Sequence, residues 1–317
     1  MLTVGIFGVG HLGKIHLKCF QDTPFEVVGF YDPDDASSEK VKEEYGIERF
    51  KDSAQLIKSV DAVDIVTPTP YHFQIASEAL RHHKHIFIEK PVTLNIQEAK
   101  ALVQLVKEKG VIAQVGHVER FNPAFTSLSP IRLNPKFIES HRLAMFNPRG
   151  TDVSVVLDLM IHDLDLILSL VDGEVVDVKA NGVKIVSSEL DICNARITFS
   201  NGCVANVTAS RISLKNMRKL RMFQEDAYIS VDFLEKESQI ITLSDQSKEG
   251  SFMSIDTYRG KKYINITSPG VKSNNAITDE LNAFHNSIIS GDAPEVTIQD
   301  GYEALELALR IEDEVEL

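Results

Sequence analysis

Cysteine is scarce in this 317-residue chain: Cys19, Cys193 and Cys203 are its three, scattered and without metal-ligand spacing. That pattern offers neither a disulfide framework nor a zinc site, and no metal is expected; in a reducing compartment the three read as buried small apolar residues. No uninterrupted apolar stretch approaches the ~20 residues a bilayer span needs, and Met1 runs straight into a strand-like segment with no charged-then-apolar leader. These absences point to the cytoplasm and to no membrane partner. Positive charge is also in deficit, with 33 Lys and Arg against 46 Asp and Glu for a formal net charge of −13. Such a balance argues against nucleic acid as partner, although a locally basic site for an anion stays open. At 317 residues the chain exceeds the roughly 250 to 300 at which one hydrophobic core usually stops growing, so two domains are expected.

The most informative segment runs from Leu2 to Asp32. Leu2 to Phe7 suits a buried parallel strand, and Gly8-Val9-Gly10-His11-Leu12-Gly13 then reads as a turn into a helix. Gly8 and Gly10 allow a tight turn whose backbone can approach a pyrophosphate, and Gly13 lets the helix pack close to the strand. The N–H groups and positive dipole end of that helix face the phosphates, so no lysine is needed there. After a second strand, Glu26 to Tyr31, Asp32 lies about 20 residues past the glycines, where an acid accepts hydrogen bonds from an adenosine ribose. Its carboxylate repels a ribose 2′-phosphate, and nothing basic follows in Pro33, Asp34 and Asp35. The spacing therefore predicts a dinucleotide site, with NAD favoured over NADP.

The alternation continues with helices at Ser37 to Tyr45 and Ala54 to Ser59, a strand from Ala62 to Thr67 ended by Pro68 and Pro70, and a helix from Tyr71 to His83. A strand from His85 to Ile88, a helix from Asn95 to Lys109 and a strand from Val111 to Val115 complete a doubly wound parallel sheet. Ligands bind such sheets at the carboxyl ends of the strands. Gly8 to Gly13, Thr67, Pro68 and His72, Glu89 to Pro91, and Gly116 to Asn122 are therefore expected on one rim. At that rim Pro91 fixes the chain directly after a strand end, in a position compatible with a cis bond, and aims Lys90. An ammonium near the nicotinamide can hydrogen-bond a substrate hydroxyl and stabilise the alkoxide that develops as hydride leaves. Taken alone, Glu89 and Lys90 are equally compatible with solvating a strand end.

After Gly116 the segments become longer and β-rich, placing a dinucleotide-binding domain at 1–118 and a second domain at 119–317. One helix interrupts them. Ser154 to Val171 is apolar nearly all round, yet Asp158, His162 and Asp165 fall at i, i+4 and i+7 on one stripe, with Asp163 off it as a surface or structural group. Carboxylates and an imidazole in such a helix are paired, functional or on a solvent face. The functional reading makes His162, whose ordinary pKa is about 6.5, the group that exchanges a proton with a substrate hydroxyl. Asp158, one turn away, then orients the ring.

The glycine turn with His16 after it, Glu89-Lys90-Pro91 at a strand end, and Asp158-x-x-x-His162 on a second-domain helix resemble the Gfo/Idh/MocA oxidoreductases. The resemblance spans essentially the whole chain, including a tail with Glu280, Leu281 and Phe284, then Gly291, Pro294 and Val296, then Gly301, Ala304 and Leu305. It implies a catalytic group of Lys90, Asp158 and His162, and an α/β architecture of Rossmann sheet plus an α+β second domain with a large, mostly antiparallel open sheet that makes subunit contacts. A homodimer or homotetramer is expected accordingly, through about Glu174 to Ile266. Within the family, Gly116-His117-Val118-Glu119-Arg120-Phe121-Asn122-Pro123 is similar to the segment of UDP-N-acetylglucosamine 3-dehydrogenase-like members, which oxidise a sugar 3-hydroxyl. Arg120 and Asn122, with Lys90, are thus candidate substrate contacts, Arg120 being equally suited to a domain junction; His141, Arg142 and Arg149 are less specific. The expected function is an NAD-dependent dehydrogenase of a sugar or nucleotide-sugar secondary alcohol. The alternatives are a polyol dehydrogenase of inositol type and a non-catalytic NAD(H)-responsive binding protein.

Overall fold

The computed structural model describes residues 1–147, 151, 153–246, 252–258 and 260–315. Arg149 lies outside them. Contacts divide the chain into two compact units, Met1–Phe121 with Asn274–Glu306, and Asn122–Ser273 with Leu307–Leu317. The tail from Asn274 to Glu306, placed by sequence order in the second domain, therefore belongs to the first unit.

The first unit begins β1 (Thr3–Phe7), α1 (His11–Phe20), β2 (Glu26–Tyr31), α2 (Asp35–Tyr45), β3 (Glu48–Arg49), α3 (Ser53–Ser59) and β4 (Ala62–Ile65). It continues α4 (His72–Arg81), β5 (His85–Glu89), α5 (Ile96–Lys109) and β6 (Ala113–Gly116). The strands form one parallel sheet of six in the order β3-β2-β1-β4-β5-β6. The expected doubly wound sheet is present, with a sixth strand, β3, too short and too polar to show in the sequence. Local chemistry sets the helix ends. The side chains of Asp34, Asp52 and Asn95 accept backbone N–H groups at the starts of α2, α3 and α5, while Gly46 and Gly110 close α2 and α5 in the left-handed conformation. Strand order reverses between β1 and β4, so the crevice lies beyond the carboxyl ends of those two strands.

A short helix α6 (Pro123–Thr126) opens the second unit, followed by β7 (Phe137–Leu143), α7 (Ile161–Leu170) and strands β8 (Val175–Val183), β9 (Ile192–Phe199) and β10 (Val204–Ser210). Then come β11 (Met217–Phe223), β12 (Ala227–Asp232), β13 (Glu237–Ser244), β14 (Met253–Thr257) and β15 (Gly260–Thr267). Among the described residues these nine strands form one sheet, β14-β15-β13-β12-β11-β7-β10-β9-β8, antiparallel except where β7 pairs β10. Two long helices, α8 (Ala276–Ser290) and α9 (Ile298–Asp313), complete the chain. Leu281 and Phe284 of α8 join Ile6, Phe25, Phe30 and Phe87 in the first unit's core. Burial alternates along β7 and β9, so one sheet face is covered. All three cysteines are free and buried, and burial pushes the Cys193 thiol up to about 12. No helix among the described residues is long and apolar enough to cross a membrane.

The helix expected over Ser154 to Val171 is divided: Val156–Met160 winds as a π turn before α7 begins. Asp163 is buried and structural, its carboxylate accepting from Arg142 Nε at 2.7 Å and from the Ser140 hydroxyl at 2.9 Å. Removing one partner of a buried ion pair leaves the other uncompensated. Asp163→Ala should therefore destabilise the second unit by about 3–5 kcal/mol in denaturant unfolding, and Arg142→Met on that background should recover part of the loss.

Candidate active site

The glycine turn is dictated by close approach. Gly8 has φ +93°, and a Cβ there would stand 2.8 Å from the Val66 carbonyl oxygen. On Gly13 a Cβ would stand 2.1 Å from the Gly8 carbonyl oxygen, so only glycine lets α1 seat against the end of β1. Gly10 differs, because no protein atom lies within 4 Å of where its Cβ would be. Gly10 and His11 are exposed, Leu12 is half-buried, and α1 starts without a capping side chain. This is a cradle of backbone N–H groups that fits a pyrophosphate.

Asp32 follows β2, with one carboxylate oxygen accepting from Val9 N–H and the other from Asp34 N–H, both at 2.9 Å. It thereby ties the turn to β2, and each oxygen keeps a lone pair for a ribose hydroxyl. An arginine is nearer than the sequence suggested. Arg49 of β3 donates to the Asp32 backbone carbonyl at 3.2 Å and pairs with the Asp35 and Glu39 carboxylates. Its charge is thus already matched by two acids.

At the next strand end Thr67 is half-buried and Pro68 exposed. His72, expected to meet the cofactor, is instead a buried brace. Its Nε2 lies 2.8 Å from the Thr67 carbonyl and its Nδ1 3.1 Å from the Pro91 carbonyl. Burial lowers its pKa despite those acceptors, and the ring joins the loops after β4 and β5. Lys90 is half-buried, its peptide bond to Pro91 is cis, and its backbone N–H donates to Glu89 Oε2 at 3.2 Å. Arg120 pairs with Asp300 of α9 at 3.7 Å. Asn122 caps α6 through the Ala124 N–H and donates to the Phe233 carbonyl at 3.2 Å. Both are therefore in structural use within their own units.

Beneath the rim lies a cluster that spacing alone did not reveal. His16 of α1 sets its Nδ1 3.1 Å from Asp64 of β4 and its Nε2 3.4 Å from Glu89 of β5, and all three are buried. Burial alone would lower the His16 pKa, but the pairing with Asp64 and then Glu89 outweighs it and raises the value well above the ordinary one. Glu89 is held below its usual range by His16 and Lys90 against its own burial. Glu280 of α8 joins them, forming with His16 and Glu89 the one set of potential metal ligands found among the described residues. An aspartate inside the apolar run Ala62-Val63-Asp64-Ile65-Val66 was the readable sign of this network.

In the second unit Asp158 and His162 are half-buried, Asp158 on the π turn and His162 at the start of α7. Asp165 is buried, which separates it from the stripe predicted to hold all three.

Residues 2–117 match the family model for an oxidoreductase family with an NAD-binding Rossmann fold, and residues 108–230 match a GFO/IDH/MocA C-terminal domain. The chain is 41% identical to UDP-N-acetylglucosamine 3-dehydrogenase of Acidithiobacillus ferrooxidans over 74% of each protein. A solved structure of that enzyme superposes with a TM-score of 0.90 at 34% identity, covering 99% of this chain and 97% of that one. The scyllo-inositol 2-dehydrogenase (NAD(+)) of Bacillus subtilis is 29% identical over 96% of this chain and 91% of that protein. The scyllo-inositol dehydrogenase of Lactobacillus casei, solved with NAD(H) and scyllo-inositol, shares the fold at a TM-score of 0.77 and 22% identity, covering 99% of this chain and 97% of that one. With both units matched by its models, the chain belongs to the Gfo/Idh/MocA family: it is an NAD-binding oxidoreductase, a dehydrogenase acting on a CH–OH group.

Proposed function

We propose that the chain oxidises a secondary alcohol of a nucleotide sugar, with the 3-hydroxyl of UDP-N-acetylglucosamine as its substrate. The observation that carries this reading is the 41% identity to an enzyme of that name, joined to a 0.90 TM-score over nearly the full length. A polyol such as an inositol is the second reading, supported by the inositol dehydrogenases at 29% and 25% identity. A non-catalytic NAD(H)-responsive protein is the third, and the presence of Lys90, Asp158 and His162 together speaks against it. Following NADH formation with UDP-N-acetylglucosamine, then with myo- and scyllo-inositol, separates the three. Turnover of an inositol but not of the nucleotide sugar overturns the first reading, and no turnover with any of them favours the third.

NAD, when bound, supplies the hydride acceptor. The backbone N–H groups of Gly10 to Gly13 would hold its pyrophosphate and Asp32 a ribose. His162, oriented by Asp158, would take the proton of the substrate hydroxyl, while the Lys90 ammonium would stabilise the developing alkoxide. On this reading His162→Asn leaves NAD affinity near wild type and lowers turnover by about 10²- to 10⁴-fold. Oxidation needs the neutral imidazole, so wild-type turnover falls on the acid side, and that limb is absent from the variant. An intact acid limb and near-normal turnover in His162→Asn would place the base elsewhere.

NAD is preferred to NADP in the same proposal. Asp32→Ala removes a ribose acceptor and a repulsion together, so it should weaken NAD binding and narrow the discrimination against NADP. Wild type with the higher affinity for NADP would refute this.

We place the chain in the cytoplasm, as a homodimer or homotetramer joined through the open face of the nine-stranded sheet. The support is a continuous apolar row across that face. Register pairs Phe137 with Phe223, Phe223 with Tyr228, Tyr228 with Ile241, and Ile241 with Ile266. The aromatic rings stand 5.9 and 5.0 Å apart, and each member of the row is half-buried or exposed. Phe223→Glu should lower the mass measured by light scattering to that of a smaller species. A wild-type monomer at micromolar concentration would exclude the interface.

A further inference from the structure

Glu280 is the member of the buried cluster that pairing does not explain. Its side chain is fully buried on α8, and neither carboxylate oxygen has a hydrogen-bond partner among the described residues. It nevertheless offers an oxygen within 4.8 Å of ligand atoms on both His16 and Glu89. Ionised, it would be a third carboxylate beside Asp64 and Glu89 with one imidazolium among them, an uncompensated buried charge. Protonated, it has an O–H to donate, and Glu89 has an acceptor lone pair to receive it. We propose that Glu280 is kept as a neutral carboxylic acid beside Glu89, and that Glu280 and His16 are positioning residues for the strand end that carries Lys90.

The route from Glu280 to Lys90 is short. Glu89 faces His16 on one side, and its Oε2 accepts from the Lys90 backbone N–H at 3.2 Å. On the other side it meets Gly116, its register partner in β6, where a Cβ would stand 2.6 Å from Glu89 Oε1. The carboxylate is thus confined by α1, by β6 and by the backbone it orients. The elements packed on the site contribute His16 from α1, Asp64 from β4, Glu89 and Lys90 from β5, the neutral amide of Gln114 from β6 and Glu280 from α8, and the turn Val118–Phe121, which packs on α8, carries Arg120 and the buried Glu119. Gln114 fixes α8 by donating to the Glu280 backbone carbonyl at 2.7 Å. Burial first, and then the charge of Glu89, push the Glu280 carboxyl well above the usual carboxylate range, against the opposing effect of His16.

The positioning role rests on the dehydrogenase reading above; the proton on Glu280 does not. Thermal unfolding of the full chain, with neither cofactor nor substrate present, tests the proton directly. A folded-state value raised above the unfolded one gives stability that is complete below the ordinary carboxylate range and is lost as pH rises through the raised value. Glu280→Gln keeps the shape but cannot ionise. The two proteins should track one another on the acid side, and wild type should fall about 2–4 °C below the variant on the alkaline side. Parallel curves at every pH overturn the proposal, as does a melting rise with Mn²⁺ or Zn²⁺ that Glu280→Gln lacks, since the cluster would then take a cation in place of the proton. Turnover tests the positioning role. Wild type should show an alkaline fall in kcat that Glu280→Gln abolishes, and Glu280→Leu should lower kcat about 10-fold or more with the KM for NAD held. Equal kcat profiles for the Gln and Leu variants would reduce Glu280 to packing. A wild type that turns over no substrate would refute the dehydrogenase reading and leave the unfolding comparison to decide the proton.

Discussion

A buried imidazolium between two carboxylates is the interaction on which the first unit's rim depends. His16 reaches Asp64 at 3.1 Å and Glu89 at 3.4 Å, so one side chain of α1 is bound to the two strands whose ends carry Thr67 and Lys90. Each charge in this set would be expensive to bury alone, and the expense enforces the geometry, because a slip of the helix would strand three charges at once. The glycine turn makes the arrangement possible. Without side chains at Gly8 and Gly13, α1 approaches β1 closely enough for His16 to reach across the sheet. Phosphate cradle and ion pair thus depend on a single seated helix.

What was legible in the sequence was local. β1, β2, β4, β5 and β6 announced themselves as short apolar runs, and the turn, Asp32 and Lys90 followed from their places at strand ends. β3 did not, because Glu48 and Arg49 form a strand only by pairing with Gly29 and Phe30. The tail helix was visible through Leu281 and Phe284, but its place was not: those residues complete a core built around Phe25 and Phe87, which no order of segments reveals. The His16 cluster gathers residues from position 16 to position 280, and only the misfit of Asp64 in an apolar strand hinted at it. Asn122 and His72 show the converse. Their residue types suited ligand contact, yet their polar atoms close loops against backbone groups.

In the second unit Asp165 is buried although it shares the regular helix α7 with His162, and the π turn alters only where Asp158 stands relative to both. Spacing of i, i+4 and i+7 assumes uniform winding of 3.6 residues per turn. The π turn over Val156–Met160 widens the winding at the point where Asp158 sits, and such turns occur often at functional sites. Asp158 and His162 remain half-buried while Asp163 and Asp165 turn inward. The inward acid at 163 is matched by Arg142 and Ser140, as burial requires. Asp158 and His162 keep part of their surface open, which is the exposure the proposed proton transfer needs.

Cofactor choice follows from the same charge matching. Asp32 spends one acceptor position of each oxygen on backbone N–H groups, which makes it part of the turn as well as the proposed ribose ligand. Arg49, the cation that could welcome a 2′-phosphate, is already held by Asp35, Glu39 and the Asp32 carbonyl. A phosphate there would have to displace those carboxylates while meeting Asp32, Asp34 and Asp35 at the same strand end. Discrimination therefore has two parts, the charge of Asp32 and the sequestration of Arg49, and substituting Asp32 alone removes only the first. Full acceptance of NADP requires that Arg49 also be released, and that is a property of β3, the strand whose two residues the sequence conceals.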